Sequence, residues 1–290
     1  MVFFNRVFSM NPIVYFNGEF LPKDQVHVSP DDRGFLFGDG VYDVTLTYGG
    51  RFFRIGDHLE RMKNGLRSLR IEGADVDALE GVGKELMKRN NLDCYSQALY
   101  LQVTRGVAKR THHFPTTEVQ PTVFASISPF NRKGDPENGS PIVTVPDVRW
   151  SRCDIKSVCL LPNCLATQRA KDLNGHEAVF VRDGSVQEGA SSNFFAVYGG
   201  VVHTPPLTNY VLPGITRIVV LELCEQHGIP VRQVSILQQD LAETEEIFLA
   251  GTTSEVVPVT AVDGVPVRDG KPGPISRRIS DLFVEYAHGE

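Results

Sequence analysis

The sequence predicts a two-domain α+β protein, and three observations support that prediction. Asn-Gly and Gly-Gly pairs stand between short apolar runs, which signals antiparallel hairpins. Segments whose apolar residues recur at helical spacing lie among those hairpins. One stretch of glycine, proline and charge, "FNRKGDPENGSP", interrupts the pattern near the middle of the chain. Together these signals predict a small N-terminal domain over residues 1–130, a linker at 131–141 and a larger domain over 142–290.

The elements follow in order. "IVYFNGEFL" is two short strands joined by Asn17-Gly18, and "GVYDVTLTYGGRFFRI" repeats the device with Gly49-Gly50. Asp57 is placed to cap a helix through His58, Leu59, Met62, Leu66 and Leu69. "VDALEGVGKELMKRNN" reads as a second helix, and "SQALYLQVTRG" and "PTVFASIS" read as strands. Beyond the linker come strands, a helix over about 163–173, the hairpins "EAVFVRDGSVQEG" and "NFFAVYGGVVHT", a helix from Ile215 to His227, and further strands.

A chain of 290 residues with 41% hydrophobic and 22% charged content can bury a sizeable core. Its net charge of -6 is spread without a basic block, which argues against nucleic-acid and polybasic membrane partners and points to a small molecule. The start, "MVFFNRVFSMNPIVYFNGEF", lacks a signal-peptide core, and no stretch approaches the ~18 apolar residues of a membrane span. Cys94, Cys153, Cys159, Cys164 and Cys224 form an odd set without metal-ligand spacing. They read as reduced core or near-core residues of a cytoplasmic protein, with no metal site expected.

The candidate chemistry centres on "RWSRCDIKSVCLLPN", where Lys156 interrupts what otherwise reads as a buried strand. Lysine is rarely buried unless its charge is compensated. Three other stretches complete a pattern. In "VQEGASSN", Glu188 runs into a Gly and Ser turn; in "LPGITRIVVLEL", Gly214 precedes Ile215 and Thr216 at the start of an amphipathic helix with free amides at its positive end. In "EEIFLAGTTSEV", a strand ends in Gly251, Thr252, Thr253 and Ser254. Taken singly these are an edge lysine, a loop acid, a helix start and a turn. Together they supply what pyridoxal phosphate needs: a lysine for the Schiff base, an acid for the pyridine nitrogen, and amides and hydroxyls for the phosphate. Apolar surroundings and a cationic pyridinium both disfavour the ammonium, which would free the amine as nucleophile and proton carrier.

The stretches "DDRGFLFGDGVYDV", "LQVTRGVAKRTHHFP", "RWSRCDIKS", "EGASSN", "LPGITR" and "GTTSE" resemble the fold-type IV aminotransferases, and among them most closely the D-amino acid aminotransferases. The resemblance runs over nearly the whole chain. It implies a small N-terminal α/β domain and a larger C-terminal domain with mixed sheets or a barrel. It further implies Lys156 as the Schiff-base lysine, Glu188 as partner of the pyridine nitrogen and Leu212 packed on the ring. The phosphate would be held by Arg61, the Ile215 amide, Thr216 and Thr252. Tyr42, Arg110 and His112 would take the substrate carboxylate, the last two on a loop reaching across from the neighbouring subunit of a homodimer. Arg149 is a further candidate because it lies close to Lys156 in sequence.

The implied reaction moves the amino group of a D-amino acid to a 2-oxo acid, with Lys156 carrying the α-proton. "LLPNCLA" and Gly251 look more like the branched-chain and aminodeoxychorismate-lyase relatives, whereas "GDGVYDV" and "RTHHFP" favour the D-specific pattern. The alternatives are a branched-chain L-aminotransferase, an (R)-amine transaminase, an aminodeoxychorismate lyase, and a metabolite-binding protein without turnover.

Overall fold

A computed structural model describes residues 11–92 and 96–289, arranged as two compact units. The first takes the described residues up to Phe130 together with Ile155–Cys159; the second takes Asn131–Asp154 and the chain from Leu160 onward.

The first unit contains β1 (Ile13–Phe16), β2 (Glu19–Pro22), α1 (Arg33–Phe37), β3 (Gly40–Tyr48), β4 (Arg51–Phe52), α2 (Ile55–Leu69), α3 (Leu79–Arg89), β5 (Gln97–Thr104) and β6 (Thr122–Pro129). Its strands form one antiparallel sheet in the order β2-β1-β6-β5-β3-β4. Asn17 and Gly18 both take positive φ, the conformation that a two-residue hairpin of this twist requires. Alternation along β5 sends Leu99, Leu101 and Val103 to one face, where they pack with Leu59, Met62 and Leu66 of α2 and Leu79, Val82 and Leu86 of α3. The opposite face of the same sheet carries Tyr42, stacked on Tyr100 across β3 and β5.

The second unit contains β7 (Ser140–Pro146), α4 (Leu161–Asp172), β8 (Glu177–Arg182), β9 (Ser185–Gly189), β10 (Asn193–Tyr198), β11 (Val201–Thr204), α5 (Ile215–Gln226), β12 (Val231–Gln233), β13 (Ile236–Leu237), β14 (Glu246–Gly251), β15 (Glu255–Val262), β16 (Val265–Pro266) and α6 (Pro274–His288). Its sheet is mixed, in the order β12-β11-β10-β14-β15-β7-β8-β9-β13, with β16 beside β15. β7 runs parallel to β8 and β15, and β11 runs parallel to β12. β14 is buried along its whole length, and α5 and α6 pack on β14 and β15.

Several expectations from the sequence need correction. The segment around Lys156 is not a strand: Ser157 N–H turns back to the Ile155 carbonyl at 2.7 Å, so only one bridge, Ser157 to Val41, forms. Asp57 does not cap α2, because the helix begins two residues earlier behind Arg54 in the left-handed region, and Asp57 instead pairs with the Arg54 side chain. The further strands expected after the helix from Ile215 are β12 to β16, but the sequence expectation includes no helix beyond them, where α6 lies; it starts with Pro274 and buries Ile279, Phe283 and Ala287 at helical spacing. Of the cysteines, Cys153 and Cys224 are buried and Cys159 and Cys164 are exposed, all four as free thiols; Cys94 lies outside the described residues. No described helix is long and apolar enough to cross a membrane.

Candidate active site

The sheet of the first unit positions Lys156 through backbone bonds. Tyr42 N–H donates to the Lys156 carbonyl at 3.0 Å, and Val158 N–H donates to the Gly40 carbonyl at 3.1 Å. The segment therefore lies along the N-terminal half of β3. On one side of Lys156 the buried Ile155 joins the core of the unit. Lys156 itself is half-buried, with its amine nitrogen 4.6 Å from the centroid of the Tyr42 ring. An ammonium over an aromatic face is stabilised by the ring quadrupole while remaining weakly hydrated.

Strand alternation sends Asp43, the neighbour of Tyr42, to the opposite face and onto α2. Asp43 Oδ2 accepts from Arg61 Nε at 2.9 Å, and its Oδ1 accepts from Arg61 Nη2 at 2.7 Å, a two-pronged contact. His58 Nδ1 lies 2.8 Å from Asp43 Oδ1. A carboxylate only accepts, so Nδ1 carries a proton. All three groups are buried. Burial alone would raise the Asp43 carboxyl, but Arg61 and His58 more than offset it and hold it well below the usual carboxylate range. Burial pushes His58 below its ordinary value; the Asp43 charge works against that shift, and the nearby Arg61 and Lys156 charges add to it. Arg61, assigned to the phosphate by resemblance, is thus oriented by a carboxylate one residue along from Tyr42.

Arg110 and His112 stand on the long loop from Arg105 to Pro121 between β5 and β6, where Arg110 is exposed and His112 lies beside it at the surface. Arg110 lies with its guanidinium carbon 5.3 Å from the Phe37 ring centroid, and His112 meets the same ring edge-on at 5.9 Å.

The second unit builds its own cluster around Glu188, which is only 4% exposed near the end of β9. Its Oε1 accepts from Arg149 Nη1 at 2.5 Å, and its Oε2 accepts from the Leu212 amide at 2.9 Å and from Asn193 Nδ2 at 3.2 Å. The carboxylate is therefore fixed in orientation from both ends. Arg149 is held in turn by Asp147, whose carboxylate it shares with Arg182, and it lies over the Phe180 ring at 4.1 Å. Burial would lower Arg149, but the bonds to Asp147 and Glu188 outweigh it and keep the guanidinium charged. Asn193 also donates to the Leu212 carbonyl at 2.9 Å, which ties Leu212 to Glu188 by two routes.

Gly214 stands directly before α5 with no side chain capping the helix, so the Ile215 and Thr216 amides and the Thr216 hydroxyl stand at its positive end. A Cβ at Gly214 would collide with Asn193 Oδ1, so only glycine allows this approach. Thr252 follows β14 in the turn after Gly251, whose own backbone passes Ser191 and Ser192. The Ser192 hydroxyl is buried without a hydrogen-bond partner among the described residues. Helix amides, two threonine hydroxyls and a buried serine hydroxyl without a partner are donors of the kind that a phosphate group needs.

The structure thus groups Tyr42, Arg61 and Lys156 in one unit, and Glu188, Leu212, Ile215 and Thr216 in the other. The sequence reading missed Asp43, Asp147 and Asn193. A carboxylate inside the apolar strand "VYDVTL", with His58 and Arg61 three apart on the next helix, was an available signal for the first of these.

A family model for class IV aminotransferases matches residues 40–262. A D-alanine aminotransferase of Staphylococcus aureus is 42% identical over 94% of this chain and 97% of its own length. Among solved structures, a branched-chain amino acid aminotransferase of Escherichia coli superposes with a TM-score of 0.88 at 25% identity, covering 97% of this chain and 96% of the other. A T.th. branched-chain amino acid aminotransferase solved with pyridoxamine 5'-phosphate gives 0.86 at 25% identity, covering 96% and 95%. With the family model spanning most of the chain and the D-alanine aminotransferase matched nearly end to end, the protein belongs to the class IV aminotransferases.

Proposed function

We propose that the protein is a pyridoxal-phosphate-dependent transaminase that moves the amino group of a D-amino acid to a 2-oxo acid. The observation that carries this reading is Glu188: a buried carboxylate, clamped by Arg149, Leu212 and Asn193, has the charge needed to hold a proton on a pyridine nitrogen. When bound, the cofactor supplies an aldehyde that joins amines and a ring that accepts the electron pair left at the α-carbon. Lys156 would hold the cofactor at rest and, as a free amine, would carry the α-proton on its nitrogen. Its backbone bonds to β3 fix the main chain from which that amine extends. By the resemblance, Arg61, the Ile215 amide, Thr216 and Thr252 would hold the phosphate, and Leu212 would pack against the ring.

Tyr42, Arg110 and His112 take the substrate carboxylate and so set handedness. Pinning the carboxylate decides which face of the α-carbon meets Lys156. The D-specific reading is supported by the name of the relative at 42% identity, against branched-chain enzymes at 25%. We infer further that the enzyme works as a cytoplasmic homodimer in which the Arg110 loop serves the neighbouring copy. The exposure of Arg110 and His112 supports a loop free to serve the neighbouring copy, and an odd set of five cysteines without metal-ligand spacing supports the cytoplasmic reading.

The test is a half-reaction followed through the cofactor's absorbance, with D-alanine, D-glutamate, L-alanine and L-leucine added in turn. The D-substrates are expected to convert the yellow form at least ~10²-fold faster than their L-counterparts. Faster conversion by L-leucine would replace this reading with the branched-chain one.

A further inference from the structure

The residues that hold Arg110 and His112 in place lie outside their own loop. Arg33, on the short helix α1, is 3% exposed; its Nη1 donates to the Thr111 carbonyl at 2.8 Å, and its Nε donates to Asp39 Oδ2 at 2.8 Å. Thr111 is the residue between Arg110 and His112, so this one bond fixes the backbone at the middle of the pair. Asp39 is shared with Arg105, which opens the loop, through bonds of 2.7 and 3.0 Å. Phe37, one turn on from Arg33, presents a ring that Arg33, Arg110 and His112 all touch, at 4.7, 5.3 and 5.9 Å between centres.

We propose that Arg33 and Phe37 are positioning residues for substrate recognition: Arg33 pins the loop at Thr111, and the Phe37 ring gives the Arg110 and His112 side chains a common surface. This rests on the reading of Arg110 and His112 as the carboxylate trap. A guanidinium and an imidazole on an exposed loop would otherwise sample many rotamers, and ordering them would weaken binding. A buried ion pair and a shared aromatic platform remove that freedom before substrate arrives. Loops of this length without regular structure are usually functional, and here the fixed part is the part that bears the two donors. The effect should therefore fall on binding of the carboxylate and not on the chemistry at the α-carbon.

The experiment uses the holoenzyme and four variants: Arg33→Gln, Phe37→Leu, Phe37→Tyr and, as the reference for the trap itself, Arg110→Ala. The readouts are KM and kcat for D-alanine, the inhibition constant of propionate, which offers a carboxylate and no amine, and the cofactor absorbance. Misplacing a binding group typically costs ~10-fold or more. Arg33→Gln and Phe37→Leu are expected to raise both KM and the propionate constant about tenfold or more, with a smaller change in kcat and full cofactor content. Phe37→Tyr keeps the ring and should stay near wild type. If Arg33→Gln does not fold, the Phe37 pair decides alone. Unchanged KM and propionate binding in Arg33→Gln and Phe37→Leu, while Arg110→Ala loses both, would overturn the positioning role and leave the trap standing. Unchanged values in Arg110→Ala as well would show that the trap itself is wrong, and the positioning role falls with it.

Discussion

Tyr42 and Lys156 are joined twice, by a backbone bond of 3.0 Å from the Tyr42 N–H to the Lys156 carbonyl and by the lysine nitrogen lying 4.6 Å from the tyrosine ring centre. The tyrosine's ring and its hydroxyl can therefore be separated by mutation. Tyr42→Phe keeps the ring, so cofactor capture by Lys156 should be unchanged while KM for D-alanine rises through loss of a carboxylate donor. Tyr42→Ala removes the platform as well and should slow capture of added cofactor. Equal capture rates in the two variants, followed by absorbance, would show that the ring does not seat the lysine.

Glu188 receives three hydrogen bonds, and Glu188→Gln preserves its shape while deleting its charge. The variant should still bind cofactor, yet proton abstraction should slow by ~10²-fold or more, the usual loss when a preorganised electrostatic partner is removed. A primary isotope effect with α-deuterated D-alanine, larger than in wild type, would place the loss at that step. Turnover close to wild type would remove the role.

The Asp43, His58 and Arg61 cluster makes stability depend on pH with a definite sign. His58 sits below its ordinary value of 6.5, so the unfolded chain takes up the proton first and stability falls as pH drops below about that value. Asp43 is also depressed, and its contribution is lost only further down, as pH falls below the ordinary carboxylate value of 3.8. Both contributions are present at neutral pH. Melting temperature should decline between about pH 7 and pH 5, and His58→Gln should flatten that segment of the curve while lowering the neutral-pH value. An unchanged slope in the variant would assign the acid sensitivity elsewhere.

These features differ in how far the sequence announces them. The hairpins at Asn17-Gly18, Gly49-Gly50, Asp183-Gly184 and Gly199-Gly200 are legible because their positive φ values restrict the residue types. Lys156 is legible as an anomaly, an amine among apolar residues, although its segment reads as a strand and is not one: a single turn at Ser157 breaks a ladder that the composition of "DIKSVCLL" favours. The orientation of Glu188 is not legible. It depends on Arg149, Asn193 and Leu212, from a loop, a strand and a second loop, and nothing in their spacing announces that three donors converge on one carboxylate.

Gly214 is a tight point beside the start of α5. A Cβ there would run into Asn193 Oδ1, and Asn193 cannot swing away without losing its bonds to Glu188 and to the Leu212 carbonyl. Gly214→Ala should therefore destabilise the fold by about 1–3 kcal/mol, as overpacking does, and weaken cofactor binding at the same time. Urea unfolding with and without added pyridoxal phosphate measures both. The hairpin glycine Gly199 is the control: nothing lies within 4 Å of an added Cβ there, so the cost of Gly199→Ala is confined to its positive φ and cofactor affinity should not move. Unchanged cofactor affinity in Gly214→Ala would break the link between this approach and the phosphate donors.

Every role assigned to the other residues depends on Lys156 being the lysine that bears the cofactor. Borohydride reduction of the purified, cofactor-loaded protein, followed by peptide mass mapping, tests this directly. The pyridoxyl mass should fall on the peptide that contains Lys156 and be absent from Lys156→Ala. An adduct on a different lysine, or none at all after loading with cofactor, would contradict it.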